Sequence, residues 1–302
     1  MRLRAAARLT REGAVMEPMV LLEGLGMGES PRWHDGRLWL CDWVAHELVA
    51  VRAVGGPGER PTREIVATVP SMPFSIDWLP DGQPLVVVGR EARLATVGSG
   101  GALAPFADVC GISRKPWNEI VVDERGRVYV NSIGFEFPGE PPAPGLVALV
   151  RADGTSRVVA EGLSFPNGMA ITPDGGTLIV AESYAECLTA FDIDADGGLA
   201  NRRVWASVPG DHPDGICLDA EGAVWYGDVG SRRCVRVREG GRIVESVQLD
   251  RGCFACALGG PDRRTLYMLA ADFSDPAALM GGRTRTGQVL AVEVHAAGAG
   301  RP

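Results

Sequence analysis

The chain has 302 residues, 46% of them hydrophobic, with 40 Gly, 21 Pro and a formal net charge of −8. An acidic balance without a basic stripe argues against nucleic acid as a partner, and no apolar run approaches the ~18 residues that would span a bilayer, which argues against a membrane partner. The length allows two domains, but all-β propellers and barrels reach it as one, and many glycines and prolines with few long helical patterns predict strands joined by turns.

Residues 1–15 are Arg-rich and lack the apolar centre of a signal peptide. Met16 is a candidate start, so 1–16 are expected as a disordered extension, 17–296 as one domain and 297–302 as a tail. Strand candidates then follow in order: Met19 to Leu22, Gly28 to Trp33, Arg37 to Asp42, Glu47 to Val51 and Ile65 to Ala67. The second unit runs from Phe74 through Leu85–Val88 to Leu94–Val97. The third starts at Trp117, continues through Val128–Val130 and carries a Pro/Gly-rich loop over about 134–145, a length that suits a cover over a pocket. The fourth runs from Phe165 to Phe191, the fifth from His212 to Val237, and the sixth from Cys253 to Val292. Six units with a period of roughly 40–50 residues predict an all-β, six-bladed β-propeller of four-stranded antiparallel blades. The strand near Leu21 is expected to complete the last blade and close the ring, which removes most sheet edges. No helix of ten or more residues alternates with strands, so a doubly wound α/β fold is disfavoured.

The seven cysteines are an odd number scattered through strand-like segments. They read as reduced core residues of a cytoplasmic protein. Cys253 and Cys256 form a C-x-x-C without a second pair or a thioredoxin-like context, so packing is the expected role.

One phrase recurs. Asn118, Asn167 and Asp214 each stand eight residues before a turn glycine, at Gly126, Gly175 and Gly222. Asn-Gly and Asp-Gly are also common turn formers, and Asp35, Asp81 and Asp174 are read that way, at the hairpins themselves. The shared register of the other three instead predicts equivalent places in equivalent blades, converging at one mouth of the central channel. Glu29 joins them from the first blade, seven residues before Gly36 rather than eight. Two carboxylates and two amide oxygens, without Cys or His, suit a hard divalent cation such as Ca²⁺, Mg²⁺ or Mn²⁺. An ion with open positions would polarise a carbonyl and acidify bound water, with Asp214 as general base.

These phrases resemble the senescence-marker-protein/gluconolactonase/luciferin-regenerating-enzyme family, which includes regucalcin. The matching stretches are Gly28-Glu29-Ser30-Pro31-Arg32-Trp33, Phe165-Pro166-Asn167-Gly168-Met169-Ala170, Pro213-Asp214-Gly215-Ile216-Cys217-Leu218-Asp219 and Cys256-Ala257-Leu258-Gly259-Gly260-Pro261-Asp262. The resemblance implies a six-bladed propeller with one catalytic divalent metal, Ca²⁺ first among Ca²⁺, Mg²⁺, Mn²⁺, Zn²⁺ and Fe²⁺, and lactone hydrolysis. It carries the ligand role onto Glu29, Asn167 and Asp214, makes Asp214 the base, and places Asn118 facing the metal or substrate. Sugar-lactone members commonly carry an Arg two residues before that asparagine. Here Pro116 stands there, followed by Trp117, and neither supplies a bidentate fork. Trp117, Phe74 and Phe165 predict a more apolar pocket for an aromatic or alkyl lactone or ester, with blade packing as the other reading of each. His212 is a candidate donor to a substrate oxygen, and Glu136 a candidate entering from the long loop. The rival functions are organophosphate hydrolysis, hydration or isomerisation on the same metal site, and a non-enzymatic ligand-binding propeller with a structural metal. The expected partner is a small-molecule lactone or ester, and the expected state a monomer or weak dimer.

Overall fold

The computed structural model describes residues 16–52 and 61–300. Residues 1–15 of the extension expected at 1–16, and the last two residues of the expected tail, lie outside the described residues, whereas Met16 packs against the cluster that holds Cys217 and Cys256. The first strand, β1 (Met19–Leu25), is followed by the first blade, β2 (Gly28–His34), β3 (Arg37–Asp42), β4 (Glu47–Arg52) and β5 (Thr62–Thr68). The second blade is β6 (Phe74–Trp78), β7 (Pro84–Val88), β8 (Arg93–Val97) and β9 (Leu103–Asp108). The third is β10 (Trp117–Val122), β11 (Val128–Ser132), β12 (Gly145–Val150) and β13 (Ser156–Leu163). The fourth is β14 (Pro166–Ile171), β15 (Thr177–Glu182), β16 (Cys187–Ile193) and β17 (Leu199–Ser207), and the fifth β18 (Pro213–Leu218), β19 (Val224–Asp228), β20 (Arg233–Val237) and β21 (Ile243–Gln248). The sixth combines β22 (Gly252–Gly259), β23 (Thr265–Ala271) and β24 (Gly287–Glu293) with β1 on its outside.

All six blades are four-stranded and antiparallel, and the chain forms the predicted six-bladed β-propeller. The ring is closed where β1 pairs with β24, Met19 opposite Ala291 and Leu25 opposite Gly287. The short helix α1 (Pro276–Met280) lies between β23 and β24. Asp275 caps it by accepting from the Ala278 N–H at 2.9 Å, and Pro276 occupies the first turn, where no amide hydrogen is needed. Residues 297–300, expected as a tail, are tied to the ring: Ala297 O accepts from Ala220 N (2.7 Å) and Ala299 N donates to Leu218 O (3.0 Å).

Alternating apolar positions send side chains to both faces of each blade, so the cores lie between blades. One cluster joins Ala170, Ile179, Leu188 and Trp205 of the fourth blade to Ile216, Val224, Tyr226 and Val235 of the fifth. Cys217, Cys234, Cys253 and Cys256 share the next seam, with Cys217 Sγ 3.8 Å from Cys256 Sγ. Burial first of all raises the Cys217, Cys234 and Cys256 thiols well above their ordinary range, which keeps them neutral. In an unbroken strand residues 253 and 256 would face opposite ways. A bulge between Cys253 and Ala255 brings them to one face.

Around the axis the inner strands approach closely. A Cβ on Gly168 would lie 2.5 Å from Ile216 N and 2.6 Å from Asp214 O, and one on Gly215 would lie 2.4 Å from Ala255 Cβ. These glycines are required by that approach. The Asn167-Gly168 and Asp214-Gly215 pairs are therefore inner-strand residues, whereas Gly126, Gly175 and Gly222 are the true turn glycines, with φ of 75°, 69° and 74°.

Candidate active site

Five of the six inner strands break register at the same level. The ladder skips between Glu29 and Arg32, Trp117 and Ile120, Pro166 and Met169, Pro213 and Ile216, and Cys253 and Ala255. The second blade runs unbroken from Phe74 to Trp78. A bulge inserts one unpaired residue and re-aims the side chains around it. Asn118, Asn167 and Asp214 occupy the same step inside three of these bulges. Glu29 pairs with Cys41 and is level with Pro213, which pairs with Asp228, so it stands one residue ahead of the Asp214 position. Ser30, which follows Glu29, has φ +47° and gives this bulge a different shape.

The four side chains form one polar group. Asn118 Nδ2 donates to Asn167 Oδ1 at 3.3 Å, and Asn167 Nδ2 donates to Ser183 Oγ at 3.4 Å. Glu29 is buried, and burial raises its pKa well above the carboxylate range, with the charges of Asp214 and Glu119 adding to the shift. Asp214 keeps some exposed surface, yet burial of its carboxyl dominates and raises its pKa likewise; Glu119 and Asp228 add, while Asn167 and the Gly215 amide oppose. The charge of Asp214 thus disfavours ionisation of Glu29. The Arg32 guanidinium, whose charge opposes the Glu29 shift, is taken by Glu119 Oε1 (3.0 Å) and the Ile120 carbonyl (2.9 Å).

Sequence reasoning did not single out the supports of this group. Glu119 Oε1 also accepts from Ser30 Oγ (3.1 Å), and Ser30 Oγ accepts from Ile76 N (3.2 Å), so this knot ties the first three blades together. Asn131 Nδ2 donates to Asn167 O (2.7 Å) while its Oδ1 accepts from Glu119 N (3.1 Å). Ser183 Oγ donates to Pro213 O (2.8 Å), next to Asp214. Ser75 Oγ, on the one inner strand that runs unbroken, is buried and has no hydrogen-bond partner among the described residues. The signal that would have found Glu119 is its neighbour Asn118. Strict alternation sends the two to opposite faces, and the bulge removes that alternation.

The remaining predicted site residues are placed as follows. Trp117 and Phe74 are 0% exposed in the seams between blades, Trp117 with its indole N–H on Ser113 O at 3.0 Å, and their rings face the core. Phe165 is half-buried beside the polar group and belongs to an aromatic set with Phe135, Phe137 and Tyr184. His212 is exposed. Glu136 bonds Arg90 Nη1 through Oε2 at 2.9 Å. Pro116 is buried, its carbonyl accepting from Ser132 Oγ at 3.0 Å.

Two cavities, of about 300 and about 350 Å³, lie at the other ends of the inner strands, against His34, Trp78 and Leu218 and against Asp123, Thr172 and Asp174 respectively. Neither is lined by Glu29, Asn118, Asn167 or Asp214. Among the described residues no three His, Cys, Asp or Glu side chains are arranged to hold a metal ion. The donor set at the mouth is instead mixed, two carboxylates and two amides.

Comparison with known proteins agrees with the fold and with the family resemblance. A 6-deoxy-6-sulfogluconolactonase of Pseudomonas putida is 26% identical over 196 residues, 64% of this chain and 66% of that protein. A pentonolactonase of Haloferax volcanii is 26% identical over 294 residues, 91% of this chain and 93% of its own. Among solved structures, a calcium-binding regucalcin from Agrobacterium tumefaciens superposes with a TM-score of 0.75 at 21% identity, over 95% of this chain and 97% of that one, a likeness of fold. Residues 27–272 match the SMP-30/Gluconolactonase/LRE-like region, and the chain belongs to that family.

Proposed function

We propose that the protein opens a lactone or a related ester by hydrolysis, with Glu29, Asn167 and Asp214 holding a divalent cation and Asp214 acting as general base. The observation that carries this reading is the meeting of two repelling carboxylates, Glu29 buried and Asp214 partly buried, with two side-chain amides at one mouth of the ring. Such an all-oxygen set fits a hard cation, Ca²⁺ first. The names of the lactonases and of the calcium-binding regucalcin above support both parts.

When bound, the ion would supply Lewis acidity towards a carbonyl oxygen and a bound water. The chain's own groups do the rest. Asp214 receives the proton of the attacking water. Asn118 offers an amide N–H to a substrate oxygen once its bond to Asn167 is exchanged. Ser183 and Asn131 fix Asn167, and the Arg32–Glu119 pair fixes the strands that carry Glu29 and Asn118. All seven cysteines are free thiols, which supports a reducing compartment such as the cytoplasm.

The test is metal analysis of the purified protein together with hydrolysis of a lactone panel, with and without chelator. Asp214→Ala is expected to lower kcat by about 10²–10⁴-fold with the fold intact by circular dichroism. Unchanged turnover by this variant, or turnover indifferent to chelator, would overturn the reading.

A further inference from the structure

Beside the polar group stands an aromatic surface that blade packing does not account for. Phe135 is 2% exposed and anchors it, but Phe137 and Tyr184 remain 38% and 42% exposed. Phe165 bridges them, with ring centroids 5.4 Å from Phe137, 5.6 Å from Phe135 and 4.6 Å from Tyr184. Large apolar rings exposed side by side mark a contact surface more often than rings exposed singly.

The surface is continuous with the site. Phe165 is two residues before Asn167, and its carbonyl accepts from Ser183 N at 3.1 Å. Ser183 is hydrogen-bonded to Asn167, and Tyr184 is the next residue. Phe165 also has φ +55°, a conformation unfavourable for an aromatic residue. Strain of this kind is found where the surroundings hold a side chain in a required direction.

The charges of the adjoining loop point the same way. Glu136 holds Arg90 at 2.9 Å, and Glu140 holds Lys115 at 2.7 Å. Glu140 also accepts from Glu136 N at 2.9 Å, so the segment that carries Phe135 and Phe137 is pinned by its own ion pairs. Those two cations are therefore engaged within the protein, and Pro116 has no donor to offer a hydroxyl.

We propose that Phe137, Phe165 and Tyr184 form the specificity wall of the site and select a lactone or ester whose substituent is an alkyl chain or aromatic ring rather than a polyol. The proposal rests on the hydrolytic reading above and names its substrate class.

The experiment compares kcat/KM for γ-butyrolactone, γ-nonalactone, γ-phenyl-γ-butyrolactone and D-glucono-δ-lactone in the wild type, Phe137→Ala, Tyr184→Ala and Tyr184→Phe, with binding of the non-hydrolysable 5-phenyl-2-pyrrolidinone followed by calorimetry. The wild type is expected to favour the phenyl and alkyl lactones over the sugar lactone, and each alanine variant to lower the phenyl-to-unsubstituted ratio by about tenfold, mainly through KM. Tyr184→Phe should keep the ratio, since the wall acts through its ring. A preference for the sugar lactone, or a ratio that Phe137→Ala and Tyr184→Ala leave unmoved, overturns the proposal. If no lactone is opened, the hydrolytic reading fails and the calorimetry decides the wall by itself. Binding of the phenyl lactam that is lost in both alanine variants sustains the wall, and no binding overturns it.

Discussion

Arg32 and Glu119 meet at 3.0 Å with 6% and 7% of their side chains exposed. Removing one partner of a buried pair leaves the other charge uncompensated. Arg32→Met is therefore expected to cost about 3–5 kcal/mol, and Arg32→Met with Glu119→Leu distinctly less than the sum of the single changes. A urea-unfolding double-mutant cycle measures this, and additive costs would show that the pair does not act as a unit. Gly215 makes a second residue-scale prediction. The Cβ of an alanine there would meet Ala255 Cβ at 2.4 Å, so Gly215→Ala should destabilise by about 1–3 kcal/mol, read from the shift in unfolding midpoint. At this scale Asn118, Asn167 and Asp214 were legible because three equivalent strands repeat one spacing. Glu119 and Ser183 were not, because Glu119 enters through a bulge and Ser183 through the 3-10 turn that follows β15.

At the scale of elements, β1 is the strand most separated in sequence from its partner. It covers the outer edge of β24, and without it that edge would present unpaired N–H and C=O groups. A chain beginning at residue 26 is expected to unfold at lower temperature and to aggregate, measured by calorimetry and light scattering; an unchanged melting temperature would remove the clasp role. The strand order and blade boundaries were readable from alternation and turn glycines. The bulges were not. A bulge changes no composition and shows only as a skipped rung against a partner strand, as between Pro213 and Ile216 opposite Asp228 and Tyr226. The helix Pro276–Met280 escaped for another reason. Five residues are too few to show a helical period, although Asp275 and Pro276 form a recognisable start.

For the whole molecule the pH and cation responses follow from burial. Tyr129 and Tyr267 are buried, which pushes their phenol pKa up to about 12, against ~10 in the unfolded chain. The folded value is the higher, so each ring's contribution is complete below about pH 10 and is lost as the pH rises through about 12, at no more than about 1.4 kcal/mol per pH unit per ring. Alkaline unfolding measured between those limits should show that slope, and Tyr129→Phe should reduce it. The paired carboxylates predict the cation response. Ca²⁺ at a hundredfold excess over its Kd should stabilise the fold by about 2.7 kcal/mol, and Asp214→Ala should abolish that thermal shift. A wild-type melting temperature indifferent to Ca²⁺ and to the other divalent ions would contradict the donor set.

Repetition along the chain by itself determined the six-bladed ring and the level at which Asn118, Asn167 and Asp214 stand, because each blade must solve the same burial problem with the same alternation and the same turn. Only the tertiary structure decided what those positions face. Trp117 and Phe74 turned into the seams between blades, the bulges carried Glu119 and Arg32 into the knot beneath the site, and Phe137 and Tyr184, far apart in sequence, came to stand with Phe165. Which face a side chain takes depends on the register of its strand against a neighbour, and that neighbour is chosen by closure of the ring.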